Sequence, residues 1–357
     1  VTSFHINGLG TALPRGKIDQ TTSAAMAQAV SCNDMQQRRL LPTLYRRSKV
    51  QQRGSVLLND GEMQSFYPPA ESQTDGGPTT HRRMARYEIE APRMAHEAAA
   101  AALDDANGTA SAITDLITVS CTGFAAPGMD IRLIESLGLP PTVARTHIGF
   151  MGCHGAFNAL RVARSIGADA SRRVLICAVE LCSLHFAYGW HPQRIVANAL
   201  FADGAAAVVG RGSEHRSGWA IADNGTTIVP DSADAMTWHI GDHGFVMTLS
   251  PRVPELIREH LCPFLSRWLA ACDMRISDVR SWAVHPGGPR VAGTVAEALG
   301  VPHDCVADSL GVLRECGNMS SPTILFILDR LRQRDAPRPC VALGFGPGLT
   351  IEAMLLR

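Results

Sequence analysis

The sequence has no surplus of either charge: Lys and Arg together number 33, and so do Asp and Glu. A chain without net charge is not held on nucleic acid by its overall field, which argues against a charge-driven nucleic-acid binder. It also lacks any apolar run of about 18 residues, so no membrane-spanning helix is expected. Val1 to His5 carries no basic segment ahead of an apolar core, so no signal peptide is expected there. No two of the ten cysteines form a C-x-x-C pair, and the 13 histidines include no H-E-x-x-H. A metal site and a disulfide framework are therefore not expected, and reduced thiols point to the cytoplasm. What remains is 46% hydrophobic and 18% charged, a composition that suits a large buried core.

Strand-like and helix-like stretches alternate, which places the chain in the α/β class. Phe4 to Leu13 reads as a strand broken by Gly8 and Gly10, and Thr21 to Val30 as a helix capped by Thr22 or Ser23. A basic segment, Arg38 to Arg53, reads as a solvated helix face or a phosphate contact. Residues 54–82 are rich in Gly, Pro, Ser and Thr and read as a long loop. Glu90 to Ala106 reads as an alanine-rich helix, and Asp115 to Ser120 and Arg173 to Val179 as buried strands. Around Asn224 the pattern restarts, dividing the chain into 1–223 and 224–357. The second part offers the helix Pro254 to Ala271, the strand Arg280 to Val284 and a closing strand Thr350 to Leu356.

Three residues stand where a strand or turn meets a helix: Cys153, His285 and Asn318. Cys153 lies between small residues in Gly149-Phe150-Met151-Gly152-Cys153-His154-Gly155, just before a helical pattern. A helix N-terminus favours thiolate, the nucleophilic form, although a buried structural cysteine is the other reading. His285 sits in the rigid turn His285-Pro286-Gly287-Gly288-Pro289, and Asn318 in Gly317-Asn318-Met319-Ser320-Ser321. Alone, each also reads as a helix cap or a satisfied core group. Ligands of α/β folds collect at the carboxyl ends of strands, so the three are expected to converge. Cysteine then attacks a thioester carbonyl, while imidazole and amide stabilise the oxyanion without added charge. Decarboxylative condensation and thioester hydrolysis both fit this trio.

Five motifs in order resemble a type III polyketide synthase of bacterial type, the chalcone synthase-like branch of the thiolase fold. They are Gly152-Cys153, Ala199-Leu200-Phe201-Ala202-Asp203-Gly204, Trp282-Ala283-Val284-His285-Pro286-Gly287-Gly288-Pro289, Gly317-Asn318-Met319-Ser320-Ser321 and Gly344-Phe345-Gly346-Pro347-Gly348. The resemblance implies a homodimer of internally duplicated, five-layered αβαβα subunits. It implies no cofactor, with coenzyme A thioesters as substrates. An acyl-CoA starter would load on Cys153, grow by decarboxylative condensation with malonyl-CoA, and cyclise to an alkylresorcinol, alkylpyrone or other phenolic. His285 and Asn318 would promote decarboxylation. The alternative is a single-step β-ketoacyl synthase-like enzyme served by an acyl carrier protein.

Four further positions carry over as substrate-binding. Phe201 matches the family's gatekeeper phenylalanine. Met247 stands where the family has a second one, with Phe245 as the fallback register. Cys121 replaces the plant enzymes' threonine and would line the cyclisation pocket. Arg47, before Ser48, matches a lysine of the coenzyme A-binding helix, with Arg46, Lys49 and Arg53 as further basic candidates. Ala126 falls where plant enzymes reach the partner subunit's pocket, and His154 is expected to pack or cap rather than act as a base.

Overall fold

The computed structural model describes residues 3–59, 63–213 and 218–357, so Val1 and Thr2, read above for a signal peptide, lie outside the described residues. In chain order the first part comprises β1 (Ser3–Ala12), β2 (Lys17–Asp19), α1 (Gln20–Ser31), α2 (Met35–Arg47), β3 (Gln52–Gly54), α3 (Met63–Phe66), α4 (Thr80–Asp105), β4 (Asp115–Ser120), α5 (Met129–Leu137), β5 (Ala144–Gly149), α6 (Gly155–Ile166), β6 (Val174–Leu181), α7 (Pro192–Leu200) and β7 (Asp203–Ser213). The second comprises β8 (Trp219–Ile228), β9 (Met236–Gly241), β10 (Gly244–Leu249), α8 (Val253–Ala270), β11 (Ser281–Val284), α9 (Pro289–Leu299), α10 (Ala307–Cys316), α11 (Thr323–Gln333), β12 (Cys340–Gly346) and β13 (Thr350–Leu356). Position 223/224, where the sequence pattern restarts, falls inside β8.

Strand alternation builds the layers. In β4 and β6, Ile117, Val119, Ile176 and Ala178 face one core, while Leu116, Leu175, Cys177 and Val179 face another. The second of these cores is closed by α4 and α5, through Ala95, Ala98, Ala102 and Leu133. The first is shared with both halves of the chain: Ala156 and Leu160 of α6 meet Ile324 and Leu328 of α11 there. On the far side, Ile257 and Leu261 of α8 and Val291 and Val295 of α9 cover Val341, Leu343 and Leu355. Helix, sheet, helix, sheet, helix is the five-layered αβαβα order, with α6 and α11 as the central counterparts. The two sheets touch through a short seam, Phe4–Ile221, His5–Ala220 and Ile6–Trp219, which gives the continuous strand order β11-β12-β13-β8-β1-β7-β6-β4-β5.

Several local expectations change. Asp19 caps α1, accepting from the backbone N–H groups of Thr21 and Thr22, because its carboxylate reaches both; Thr22 and Ser23 lie inside the helix. Helix α4 begins at Thr80 rather than at Glu90 and runs through Pro92. The stretch 54–82 is not loop throughout: it holds a single turn at Val56–Leu58 and the short α3, whose Phe66 is buried. Gly10 does not break β1. A Cβ there would meet Ala98 O and Ala102 N of α4 at 2.4 Å, so the glycine is what lets the helix lie on the strand.

Candidate active site

Cys153 follows β5 by way of Phe150 and Gly152, both at positive φ, and occupies one turn of 3-10 helix ahead of α6. A Cβ on Gly152 would meet Pro347 at 2.7 Å, so the turn before β13 presses directly on the cysteine loop. Cys153 is 4% exposed. Burial pushes its thiol up to about 12, against the pull of Ser320 and Asn318 and helped by the nearby Glu180 carboxyl. The helix end was expected to favour thiolate; withdrawal from water outweighs it, because the charged form loses its solvation.

His285 directly follows β11, and its backbone N–H donates to Leu343 O at 2.8 Å. Its ring is fully buried, and among the described residues neither Nδ1 nor Nε2 has a hydrogen-bond partner. Burial pushes the imidazole down to about 3, and the neighbouring His154 adds to the shift. Asn318 is held by its backbone: its N–H donates to Leu200 O, and its carbonyl accepts from Ala202 N, each at 2.9 Å. Its Oδ1 accepts from Ser320 N at 2.9 Å; among the described residues Nδ2 makes no geometrically formed hydrogen bond, its one polar neighbour of note being the Cys153 thiol whose charged form it favours. Neither residue caps a helix. A buried polar group left unpaired costs about 1–3 kcal/mol, and native structures rarely tolerate one without cause. Here three such nitrogens belong to the two residues that the sequence places with Cys153.

His154 packs: Nδ1 bonds the Asn158 side chain at 2.9 Å, and the ring lies over Gly346, where a Cβ would sit 2.0 Å from it. The cavity beside Cys153 is about 370 Å³. Phe201, Cys121, Phe245 and Met247 all line it, so β10 presents both candidate gatekeeper registers. Cys121 Sγ lies 3.4 Å from Ser320 Oγ. Arg47 is exposed and lines neither cleft; Arg46 and Lys49 line a second one, about 850 Å³, together with Pro289 and Arg314. Arg53 is buried, donating to Ser23 Oγ and to the carbonyls of Asn198 and Phe201.

Sequence reading missed Glu180. It is fully buried at the end of β6 and accepts from Cys121 N at 2.9 Å, Thr122 Oγ1 at 2.8 Å and Ser321 Oγ at 2.6 Å. Burial raises its carboxyl pKa despite these bonds. The available signal was a single acid in the apolar run Val174 to Leu181, since a carboxyl there demands partners. Ser320, between Asn318 and Cys121, carried no such mark.

The family model for chalcone and stilbene synthases, N-terminal domain, matches residues 3–213, and that for their C-terminal domain matches 221–357. The chain belongs to the chalcone and stilbene synthase family. Among curated relatives it is 29% identical to the "alpha-pyrone synthesis polyketide synthase-like Pks18" of Mycobacterium tuberculosis, over 98% of this chain and 90% of that one. It is 36% identical to the 1,3,6,8-tetrahydroxynaphthalene synthase of Streptomyces peucetius, over 74% of this chain and 72% of that one. Among solved structures, PKS-I of the brown alga Ectocarpus siliculosus superposes with a TM-score of 0.93 at 30% identity, covering 100% and 98%. The C-terminal type III domain of Steely1 from Dictyostelium gives 0.88 at 23%, covering 99% of each chain, a likeness of fold. As a chalcone and stilbene synthase homologue, the chain is an acyltransferase of the type III polyketide synthase class, and the carrier-protein alternative is not favoured.

Proposed function

We propose that Cys153 carries the starter and growing chain, and that His285 and Asn318 form the decarboxylation and oxyanion site. The observation that carries this reading is the set of unpartnered nitrogens on His285 and Asn318. In loading, the Cys153 proton passes to His285, the thiolate attacks the acyl-CoA carbonyl, and coenzyme A leaves with that proton. In extension, malonyl-CoA loses carbon dioxide and the bonding pair becomes a thioester enolate. Asn318 Nδ2 and the single N–H of neutral His285 donate to its oxygen. The enolate carbon then attacks the acyl carbonyl, and Cys153 sulfur departs. The malonyl carboxylate supplies the electron pair and the thioester oxygen receives it, so the sequence of steps calls for no cofactor.

We place coenzyme A phosphates on the basic rim of the second cleft, at Arg46, Lys49 and Arg314, with Arg47 beside them on α2. Phe201 and Met247 flank the acyl group. The cavity continues to Met26 and Ala29 of α1 and Gln64 of α3, where the last two are exposed, which favours an alkyl starter and an alkylresorcinol or alkylpyrone product. A homodimer is supported by β5, an edge strand with exposed side chains, and by exposed Phe124 and Phe150, which both contact the cavity residue Phe245. A cytoplasmic location is supported by ten free cysteines. Among the described residues no helix is long and apolar enough to cross a membrane.

The test is incubation of the pure protein with malonyl-CoA and acyl-CoAs of graded length, read by mass spectrometry, with Cys153→Ala as control. Cyclised products that vanish in the variant are expected. Extended product persisting in Cys153→Ala would overturn the assignment.

A further inference from the structure

The steps above leave one polar wall of the cavity unused. Ser55, just after β3, and Ser183, just after β6, both line it. Ser55 Oγ donates to Ser183 Oγ at 2.7 Å, and Ser183 Oγ donates to Asp203 Oδ2 at 2.6 Å. Asp203 begins β7 and is fully buried. Its Oδ1 accepts from Ser183 N at 2.7 Å, and Oδ2 also accepts from Val56 N at 2.9 Å. The two hydroxyls thus point head to tail toward one carboxylate. Among the described residues Ser55 Oγ accepts only from Leu57 N, at 3.2 Å, which leaves it a lone pair for a group in the cavity.

We propose that Asp203, Ser183 and Ser55 form a proton relay that serves ring closure of the extended chain, an inference that rests on the polyketide reading. Ser55 is the catalytic residue, because it meets the substrate; Ser183 and Asp203 act through it. An acidic C–H or enol O–H between two carbonyls gives its proton to Ser55 Oγ. The Ser55 proton moves to Ser183, and that of Ser183 to Asp203. The resulting enolate attacks a carbonyl further along the same chain. The alkoxide so formed, or the departing Cys153 thiolate, takes the proton back along the same path, and the relay is reset.

The surroundings suit two-way transfer. Burial raises the Asp203 carboxyl to about 6, against its hydrogen bonds and the opposing charge of Arg53 on β3. Among the described residues, Tyr67 and Cys182 also feel its charge. A group poised near the working pH gives up a proton about as readily as it takes one. The main chain of Ser183 is fixed independently, since Tyr67 OH donates to its carbonyl at 2.7 Å. Removing either hydroxyl therefore cuts the relay and leaves both backbone bonds to Asp203 in place.

The deciding experiment uses the full-length enzyme with Ser55→Ala, Ser183→Ala and Ser183→Thr. Cys153 acylation by the starter and the ratio of cyclised to hydrolysed linear product are measured separately from pH 5 to 9. In the wild type the cyclised fraction is expected to rise with pH through about 6, as the carboxyl becomes a base. In both alanine variants that fraction falls about a hundredfold more than acylation does, and the pH step disappears. Ser183→Thr, which keeps the hydroxyl, restores both. An unchanged ratio and pH step in Ser183→Ala, or equal losses in acylation and cyclisation, overturns the relay. A wild-type enzyme that makes no extended product overturns the polyketide reading, and the relay with it.

Discussion

Phe201 and Asn318 form a parallel β-bridge across the two halves of the chain. Its two backbone bonds, Asn318 N to Leu200 O and Ala202 N to Asn318 O, fix the amide from one half against Phe201 of the other. The unpartnered Nδ2 is thus aimed by main-chain geometry and does not rely on a flexible side chain finding its place.

Asn318→Ala should therefore remove the proposed oxyanion donor without moving the backbone. Malonyl-CoA decarboxylation is expected to fall by about 10²–10³, the usual effect of one such donor. Acylation of Cys153 should fall less. The two half-reactions are read by carbon dioxide release and by the mass of the acyl-enzyme. Equal losses would count against the assignment.

Cys153 and His285 are each held in their neutral forms by burial. Transfer of one proton between them creates an ion pair without changing the number of protons bound, so pH does not set that balance. Replacing His285 by Ala removes the acceptor. The cysteine then follows the buried-thiol value, about 12, above which thiolate is present and below which it is lost. Iodoacetamide labelling of Cys153 at pH 7 is expected to slow at least about tenfold, with a rate still climbing at the alkaline limit. Superimposable wild-type and variant profiles would separate the two residues functionally.

Met247 pairs with Trp238 across the β9–β10 hairpin and lines the cavity as a flexible thioether. Met247→Phe puts a rigid ring there and should shorten the longest starter accepted. The check is kcat/KM across an acyl-CoA series. A parallel drop at every length would show general damage instead of a length limit.

Arg83 is fully buried, and its bonds go to neutral oxygens: Pro78 O, Leu184 O, Phe186 O, Gly76 O and Tyr67 OH. Arg83→Ala strands those carbonyls together and should cost about 3 kcal/mol or more. Arg83→Lys should recover only part, because a point charge cannot reach acceptors spread around a planar fork. Urea midpoints of the three proteins measure this.

The five layers, and the placing of Cys153, His285 and Asn318 in turns beside strands and helices, were legible because they leave periodic or motif-level traces. Alternating Leu116, Ile117, Thr118 and Val119 announce a strand buried on both faces, and the Gly-Cys and His-Pro-Gly-Gly runs announce turns at strand ends. Asp19 was overlooked as a cap because the first apolar residues of α1 fall several positions later. The start of α4 was hidden by His81, Arg82 and Arg83, whose polarity imitates a loop; one of the three turned out to be the most thoroughly buried cation of that region. Ser55, Ser183 and Ser320 were silent for a different reason. A hydroxyl is compatible with surface, turn or site, and only the fold says which carboxyl it meets. The packing of Pro347 on Gly152 was likewise out of reach, since the two stand nearly two hundred positions apart.

The His154 ring occupies the space that a side chain at Gly346 would need. The two positions therefore behave as a single unit under mutation. A substitution at 346 is admissible only in a chain whose residue 154 has already shrunk, and a small residue at 154 leaves a void until 346 grows. Divergence of the Cys153 loop and of the end of β12 is bound to proceed in step, in that order, even though one lies in each half of the gene product.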